Sequence, residues 1–294
     1  MKNLLLNLFA SSLIIFLFSC KSGQEKGQKQ SLTVSILPQK YIVEQITGTR
    51  FQINVLLPVG ANHETFEPRP SDMAALSGTS LYFSVGSLDF ERNWIPRMAG
   101  SVKSLKIINT SNGIALLGGH HHESHKHEGT NSTESGIDPH TWLSPEAVKV
   151  QAKNIATAVS ELDAANAKEY ELNLERFTKR IDSLQTEIKQ ILKNCKGKTI
   201  MLFHPSLAYF AREYELEQLS IEEEGKEPSA GRIRELVDIA KIKGVKSILI
   251  SKEFDVRHAE TIAAEIGGKI IVFDPMSADW PGNLVYLAKS IAKN

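Results

Sequence analysis

The stretch AANAKEYELNLERFTKRIDSLQTEIKQILKN, residues 164–194, contains neither glycine nor proline. Its apolar side chains recur at intervals of three and four residues, which is the spacing of one face of an α-helix. They are Tyr170, Leu174, Phe177, Ile181, Leu184, Ile188 and Ile191. We predict one long amphipathic helix over residues 164–195, roughly 45 Å in length.

Short apolar runs alternate with helix-compatible segments on both sides of this helix. The runs are 32–36, 53–57, 81–85 and 105–108 before it, and 199–203, 217–221, 247–250 and 269–273 after it. The helical segments include 39–47 and 71–77, the second with Ser71 as its N-cap. Alternation of strands and helices is typical of parallel sheets.

The fold class is therefore α/β: two lobes, each a small parallel sheet with flanking helices, joined by one long rigid α-helix. We place the lobes at residues 31–163 and 196–294, and the spine helix at 164–195. The alternative is that the long helix packs on a single sheet.

The charge and cysteine content exclude several classes of protein. Lys plus Arg and Asp plus Glu each number 34, so the formal net charge is zero. A nucleic-acid partner would usually require a basic excess, and we expect none. Only two cysteines are present, Cys20 and Cys195, which rules out a disulfide framework and a metal site made of a cysteine cluster.

Residues 1–19 have the organisation of a lipoprotein signal peptide. Lys2 provides a positive charge, and the mostly apolar run 4–18 would span only about 22 Å as a helix, which is too short for a bilayer core. Residues 17–20, LFSC, resemble a bacterial lipobox with Cys20 as the acylated residue. An ordinary secretory peptide with a chance cysteine is the alternative. Residues 20–30 are polar and read as a flexible tether between the lipid and the folded body.

Residues 118–136, GGHHHESHKHEGTNSTESG, form one histidine-rich, low-complexity stretch. It carries five of the nine histidines: His120, His121, His122, His125 and His127. Imidazoles at varied spacing chelate zinc, nickel or copper, but a flexible chelator lacks preorganisation. We predict an accessory, weak metal-binding loop, the alternative being a polar insertion without function.

Four further side chains stand at places where ligands bind in α/β proteins. His204 and Asp274 each follow a predicted strand directly, His63 lies in the loop after another strand, and His140 follows the histidine-rich stretch. Ligands bind at the carboxyl ends of parallel strands, so two facing lobes would bring these residues together. Three imidazoles and one carboxylate suit Zn²⁺, whereas Mn²⁺ prefers more oxygen ligands.

The chain resembles the zinc-specific branch of the metal-binding solute receptors of bacterial ABC importers, a cluster that includes manganese receptors and streptococcal lipoprotein adhesins. The matching segments are LPVGANHETFEPRP at 57–70, GSLDFERNW at 86–94, DPHTWLSP at 138–145, FH at 203–204, YFA at 209–211, EPS at 227–229 and FDPM at 273–276. The resemblance implies that His63, His140, His204 and Asp274 are the metal ligands. It also implies two rigid lobes and delivery of Zn²⁺ to an importer permease with its ATPase. One departure is Asn62, which stands where relatives often have an acidic residue.

A secreted zinc hydrolase is the alternative from another class of protein. The segment 63–67, HETFE, lacks the second histidine of an H-E-x-x-H motif, and the chain has no nucleophile elbow and no P-loop. A manganese receptor or an adhesin of the same fold remains a further alternative. We expect a monomeric, non-enzymatic zinc receptor at the extracytoplasmic face of the cell envelope, anchored to the membrane through Cys20.

Overall fold

The computed structural model describes residues 29–101, 105–118, 136–222, 228–254 and 256–293. The predicted signal peptide, Cys20 and the five histidines at 120–127 lie outside these ranges. Within the described ranges, no helix combines the length and the apolar character that crossing a membrane requires.

The first lobe is built on a parallel sheet of four strands. They are β1 (Ser31–Val34), β2 (Gln52–Val55), β3 (Thr79–Ser84) and β4 (Lys106–Asn109), in the spatial order β2-β1-β3-β4. The connecting helices are α1 (Leu37–Thr47), α2 (Pro70–Leu76) and α3 (Asp89–Ser101). Because β1 lies between β2 and β3, the chain reverses its direction across the sheet beside β1, where α/β sheets bind their ligands.

The second lobe repeats this arrangement. Its strands are β5 (Thr199–Leu202), β6 (Glu217–Ser220), β7 (Ser247–Ile250) and β8 (Lys269–Val272), again all parallel, in the order β6-β5-β7-β8. Helices α6 (Ala208–Glu213), α7 (Ala230–Ile242), α8 (Arg257–Glu265) and α9 (Trp280–Ala292) complete the lobe. Each of the eight predicted runs contains a strand, which confirms the predicted fold class.

Two long helices connect the sheets. α4 (Pro145–Leu162) and the spine helix α5 (Ala167–Ile191) are separated by a 3-10 turn at Ala164–Asn166, so the spine is shorter than the predicted 164–195. The Asp163 carboxylate accepts hydrogen bonds from the Asn166 amide and the Tyr170 hydroxyl, and these bonds fix the turn. α5 packs against α1 and α4 and also against α9 of the second lobe, which excludes packing on a single sheet.

The prediction that Ser71 caps α2 is wrong. The helix begins one residue earlier, at Pro70, whose missing N–H and fixed φ suit the first helical position. The Asp72 carboxylate, in the first turn of the helix, accepts the backbone N–H of Arg69 at 2.8 Å. This bond pairs the N–H group of the residue that precedes the helix.

The two lobes share one hydrophobic core. Buried residues of both sheets, such as Leu32 of β1 and Leu202 of β5, belong to a single cluster of contacting side chains. Two tryptophans join the lobes within it: the Trp142 indole N–H donates to Pro275 O at 2.8 Å, and that of Trp280 donates to Trp142 O at 2.6 Å. A second, smaller cluster that includes Met201 and Ile248 fills the other face of the second sheet.

Polar contacts of α6 reinforce this interface. The Tyr209 hydroxyl donates to Asp138 O at 2.8 Å and accepts the N–H of Leu117 at 3.0 Å. The Glu213 carboxylate accepts the hydroxyl of Ser144 at 2.5 Å and the amide of Gln185 on the spine at 2.7 Å. These bonds hold the second lobe to the loops and helices of the first.

A buried carboxylate organises the end of β3. Glu91, in the first turn of α3, is 1% exposed and accepts the backbone N–H groups of Val85 at 2.7 Å and Gly86 at 2.6 Å, as well as the Ser35 hydroxyl. Burial raises the pKa of Glu91 to about 7, although these hydrogen bonds partly offset the effect. The neighbouring Phe90 ring lies edge-on to the ring of Phe66, 5.2 Å between centroids, so this turn supports the loop that carries His63.

We predict that Glu91→Gln changes how the free energy of unfolding depends on pH. The folded pKa of about 7 lies above the ordinary value of 4.5, so ionising Glu91 penalises the folded state, by about 3 kcal/mol once the pH exceeds both values. Acidification from pH 7.5 to pH 5 should therefore stabilise the parent protein relative to Glu91→Gln, although the variant is less stable overall because its amide N–H₂ faces a backbone donor.

Urea unfolding at the two pH values measures this difference. Glu187→Gln, which changes an exposed glutamate of the spine helix, is the control and should follow the parent at both pH values. Equal pH dependence in the parent and in Glu91→Gln would contradict the assignment.

Candidate metal centre

Three histidines converge where the two lobes meet. His63 lies in the loop after β2, His140 precedes the 3-10 turn Thr141–Leu143, and His204 stands two residues after β5. Their exposed fractions are 2%, 2% and 8%. The Nε2 atom of His140 lies 3.0 Å from Nε2 of His63 and 3.4 Å from Nε2 of His204. We refer to these three residues as the histidine cluster.

Carboxylates fix the proton position on two of the three rings. Asp138 Oδ1 lies 2.9 Å from Nδ1 of His140, and Glu222 Oε2 lies 3.2 Å from Nδ1 of His204. An ionised carboxylate can only accept, so in both pairs Nδ1 carries the proton and donates it. The Nε2 atoms of His140 and His204 therefore present lone pairs to the centre of the cluster.

The geometry of these nitrogens fits a bound cation. Two lone pairs that face each other at 3.4 Å are not joined by a hydrogen bond, but a metal ion between them satisfies both. Nitrogen ligands about 2.1 Å from a tetrahedral zinc ion lie about 3.4 Å from each other. In addition, Nδ1 of His63 is buried and has no hydrogen-bond partner among the residues that the structure describes. The donor set is thus suited to Zn²⁺.

Burial and charge act differently on the pKa values of His63 and His204. Burial lowers the pKa of His63 well below its ordinary value, and the adjacent His140 and His204 lower it further, so His63 is neutral and can ligate a metal. Burial also lowers the pKa of His204, but the hydrogen bond to Glu222 and the charge of Glu64 outweigh it and raise the pKa overall. When no ion is bound, His204 therefore holds a proton more readily than His63 does.

Aromatic rings line the histidine cluster. The His204 ring stacks on Phe254 with 5.1 Å between centroids and an interplanar angle of 15°. The ring of Trp142, which is fully buried, lies 5.1 Å from that of His140 and 6.3 Å from that of His63. An apolar surround lowers the local dielectric constant and holds each ring in one orientation.

Asp274 is the predicted ligand that the structure does not bring into this group. Its side chain is exposed, and its Oδ1 accepts the N–H of Met276 at 2.9 Å, which closes a tight turn just after β8. Among the described residues, the groups able to hold a metal are the histidine cluster and a second set formed by Glu64, His204 and Glu222. That second set uses the opposite, Nδ1 side of the His204 ring.

Sequence reasoning did not assign roles to Asp138, Glu222 or Glu64. Glu222 could have been found by the rule that selected His204 and Asp274, because it directly follows the predicted strand 217–221. Asp138 has only the weaker signal of an acidic residue two positions before a candidate ligand. Glu64 Oε1 lies 3.6 Å from Nδ1 of His204, a contact between lobes that adjacency to His63 in the chain does not predict.

Comparison with known proteins identifies relatives whose names refer to zinc, the metal that the donor set suits. The family model described as zinc-uptake complex component A, periplasmic, matches residues 32–294. The high-affinity zinc uptake system protein ZnuA of Bacillus subtilis (strain 168) is 28% identical over 260 residues, which cover 87% of this chain and 81% of the relative. The zinc-binding lipoprotein AdcA of Streptococcus pneumoniae (strain ATCC BAA-255 / R6) is 25% identical over 277 residues. That match covers 92% of this chain but 55% of AdcA, so the chain spans about half the length of this relative.

Solved structures agree with the family model. A crystal structure of ZnuA superimposes with a TM-score of 0.82 at 38% identity, covering 90% of this chain and 98% of that one. A zinc-bound ZnuA that lacks residues 138–173 gives a TM-score of 0.80 at 38% identity, covering 90% and 96%. With the family model matched over nearly all of the described fold, this chain belongs to the family of periplasmic zinc-uptake component A proteins.

Proposed function

We propose that the protein is an extracytoplasmic receptor that captures Zn²⁺ between its two lobes and delivers it to an ABC-type metal importer. The observation that carries this proposal is the convergence of three buried imidazoles, two of them with Nε2 directed inward by a carboxylate. Names of relatives that refer to zinc uptake and zinc binding support the same cargo.

The nature of the donors favours zinc over manganese. All three converging atoms are imidazole nitrogens, and nitrogen ligands favour Zn²⁺, whereas Mn²⁺ favours oxygen. The carboxylates of Asp138 and Glu222 are occupied with the Nδ1 atoms of their histidines and therefore act through the rings. The alternative of a manganese receptor has no comparable support at the histidine cluster.

A receptor agrees with the site better than a hydrolase does. A zinc hydrolase needs a general base beside the water on the metal. Glu64, the acidic residue next to His63, instead lies on the Nδ1 side of His204, away from the convergent Nε2 atoms. The family itself is one of substrate-binding receptors, not of enzymes.

Asp274 is the proposed fourth ligand. It stands two residues after β8, and its neighbour Pro275 lines a small cavity together with His204 and Phe254. Pro275 also accepts the Trp142 indole N–H, so the segment that carries Asp274 borders the histidine cluster. Ligation would require the carboxylate to exchange its bond with the N–H of Met276 for the ion.

A lipid on Cys20 would hold the receptor at the membrane, where a monomer could meet the permease and its ATPase. The lipoprotein designation of AdcA from S. pneumoniae supports anchoring. The five histidines at 120–127 would collect zinc weakly beside the tight site, because imidazoles on a long polar segment are not preorganised.

Replacement of His204 with Glu should narrow the preference for Zn²⁺ over Mn²⁺. The change substitutes an oxygen donor for a nitrogen donor and places it among other carboxylates. We expect the ratio of the two affinities to fall by about tenfold or more, that is about 1.4 kcal/mol. Competition titration with each metal measures the ratio, and Gln190→Glu, which adds a carboxylate to the exposed face of the spine, is the control. An unchanged ratio would argue against His204 as a ligand.

Asp274→Asn tests the fourth position. If the carboxylate ligates zinc, loss of its charge should weaken Zn²⁺ binding by about tenfold, since zinc sites depend strongly on ionised donors. Asp238→Asn, an exposed change on α7 of the same lobe, should have no effect. Equal Zn²⁺ affinities for Asp274→Asn and the parent would leave the three imidazoles as the protein's ligands.

Cys20→Ser tests the anchor. Without a thiol to acylate, the protein should move from the membrane fraction to the soluble fraction of the cell envelope while its zinc affinity stays the same, because residues 20–30 separate the anchor from the lobes. Fractionation followed by zinc titration of the released protein measures both properties. Continued association of Cys20→Ser with membranes would count against Cys20 as the anchor.

A further inference from the structure

The imidazole of His204 lies between two different sets of polar atoms. On its Nε2 side, Nε2 of His140 lies 3.4 Å away. On its Nδ1 side are two carboxylates, Glu222 at 3.2 Å and Glu64 at 3.6 Å. Each side, together with the ring, forms a group of potential ligands within 4.8 Å of one another.

A neutral imidazole offers a lone pair on only one of its two nitrogens. The nitrogen that carries the proton therefore decides on which side His204 can bind a cation. A proton on Nδ1 leaves Nε2 for the histidine cluster, whereas a proton on Nε2 leaves Nδ1 for Glu64 and Glu222. The residue that selects the tautomer thus selects the site.

The sheet holds Glu222 in position to make this selection. Leu202 and Ser220 are the last paired residues of β5 and β6, and His204 and Glu222 each follow two residues later. The backbone ladder continues beyond the strands, since the N–H of Glu222 donates to Phe203 O at 2.9 Å. Glu222 is only 5% exposed, so its carboxylate has few alternatives to the His204 ring.

Glu64 is less suited to this task. Its side chain is 30% exposed, and its nearest oxygen lies 3.6 Å from Nδ1, which is beyond hydrogen-bond distance. It contributes negative charge near the ring from the opposite lobe, and the directional bond comes from Glu222. The equivalent bond in the first lobe, from His140 to Asp138, spans only two residues of the chain.

We propose that Glu222 is a positioning residue that keeps the proton on Nδ1 of His204 and so directs Nε2 toward Zn²⁺ in the histidine cluster. This inference rests on the proposed function, because it assigns the direction in which the second lobe presents its histidine to the cargo. It makes Glu222, two residues beyond the edge strand β6, part of the zinc site without contact to the ion.

Glu222→Ala removes the acceptor and allows His204 to adopt the other tautomer. Carboxylates that orient zinc-binding histidines typically contribute 10- to 100-fold to affinity, and we expect Zn²⁺ binding to weaken by about that factor. Glu222→Gln retains an oxygen that can accept the Nδ1 proton and should recover most of the loss. Glu217→Ala, which removes an exposed carboxylate from β6, the strand that precedes Glu222, is the matched control and should bind Zn²⁺ like the parent.

Competition titration with a zinc chelator measures these affinities for the tight equivalent of zinc. A second readout, which a merely structural role would not move, is the NMR spectrum of the zinc-loaded protein with ¹³C- and ¹⁵N-labelled histidine. The shifts should report coordination of His204 through Nε2 with a proton on Nδ1, and the signal is assigned by its absence in His204→Gln.

The possible outcomes separate this inference from the proposed function. A parent protein that does not bind Zn²⁺ tightly would overturn the function itself. A parent that binds Zn²⁺ while Glu222→Ala binds it equally well would overturn only the role of Glu222. Coordination of His204 through Nδ1 would also overturn it, since the ion would then lie with Glu64 and Glu222. If Glu222→Ala does not fold, the affinity of Glu222→Gln and the spectrum of the parent decide the question.

Discussion

The indole of Trp142 is the constraint on which the arrangement of the two lobes depends. The indole N–H donates to the backbone oxygen of Pro275 in the second lobe, the backbone carbonyl of Trp142 accepts the indole N–H of Trp280, and the indole ring lies against His140. The ring is fully buried and belongs to the core shared by both sheets. One residue therefore joins the lobes, fills their interface and forms a wall of the candidate metal site.

A site built on such an interface is largely preorganised. The rings of His140 and His204 come from different lobes, yet each is held by a carboxylate and an aromatic neighbour before any ion arrives. Binding then requires little ordering of the chain, which favours high affinity. Because the shared core and the contacts of α6 hold the two lobes together, we expect release of the ion to require local movement of loops such as the one around His63, which Phe66 and Phe90 support.

The sequence predicted the scaffold because its signals are local. Apolar runs of four to five residues marked every strand, and the three- and four-residue spacing from Tyr170 to Ile191 marked the spine. The helix ends were less certain, since Asp163 and Pro70 set them through side-chain bonds and ring geometry that periodicity does not encode. The shared core was not foreseen, because pairing of Trp142 with Trp280 joins positions that are 138 residues apart.

The candidate metal site was predictable to the extent that strand ends meet at one edge of a sheet. This rule found His204, and with the loops it found His63 and His140, which the structure brings together. The rule does not predict in which direction a side chain points when its residue lies just beyond the end of a strand. Asp274 turns back to its own backbone at Met276, whereas Glu222 turns inward to His204, and that difference depends on turn geometry and on neighbouring strands.

The shared core also bears on how the chain folds. Two α/β lobes of this size would ordinarily be separate cooperative units, each with a core of its own. Here α9, the last of the described helices, packs on the spine, and its Trp280 contacts Tyr41 of the first lobe, so the second lobe completes a core that begins in the first. The first lobe made alone would expose that unfinished apolar surface. We therefore expect the lobes to fold as one unit that melts in a single transition, and we expect neither to be exchangeable between proteins as an independent module.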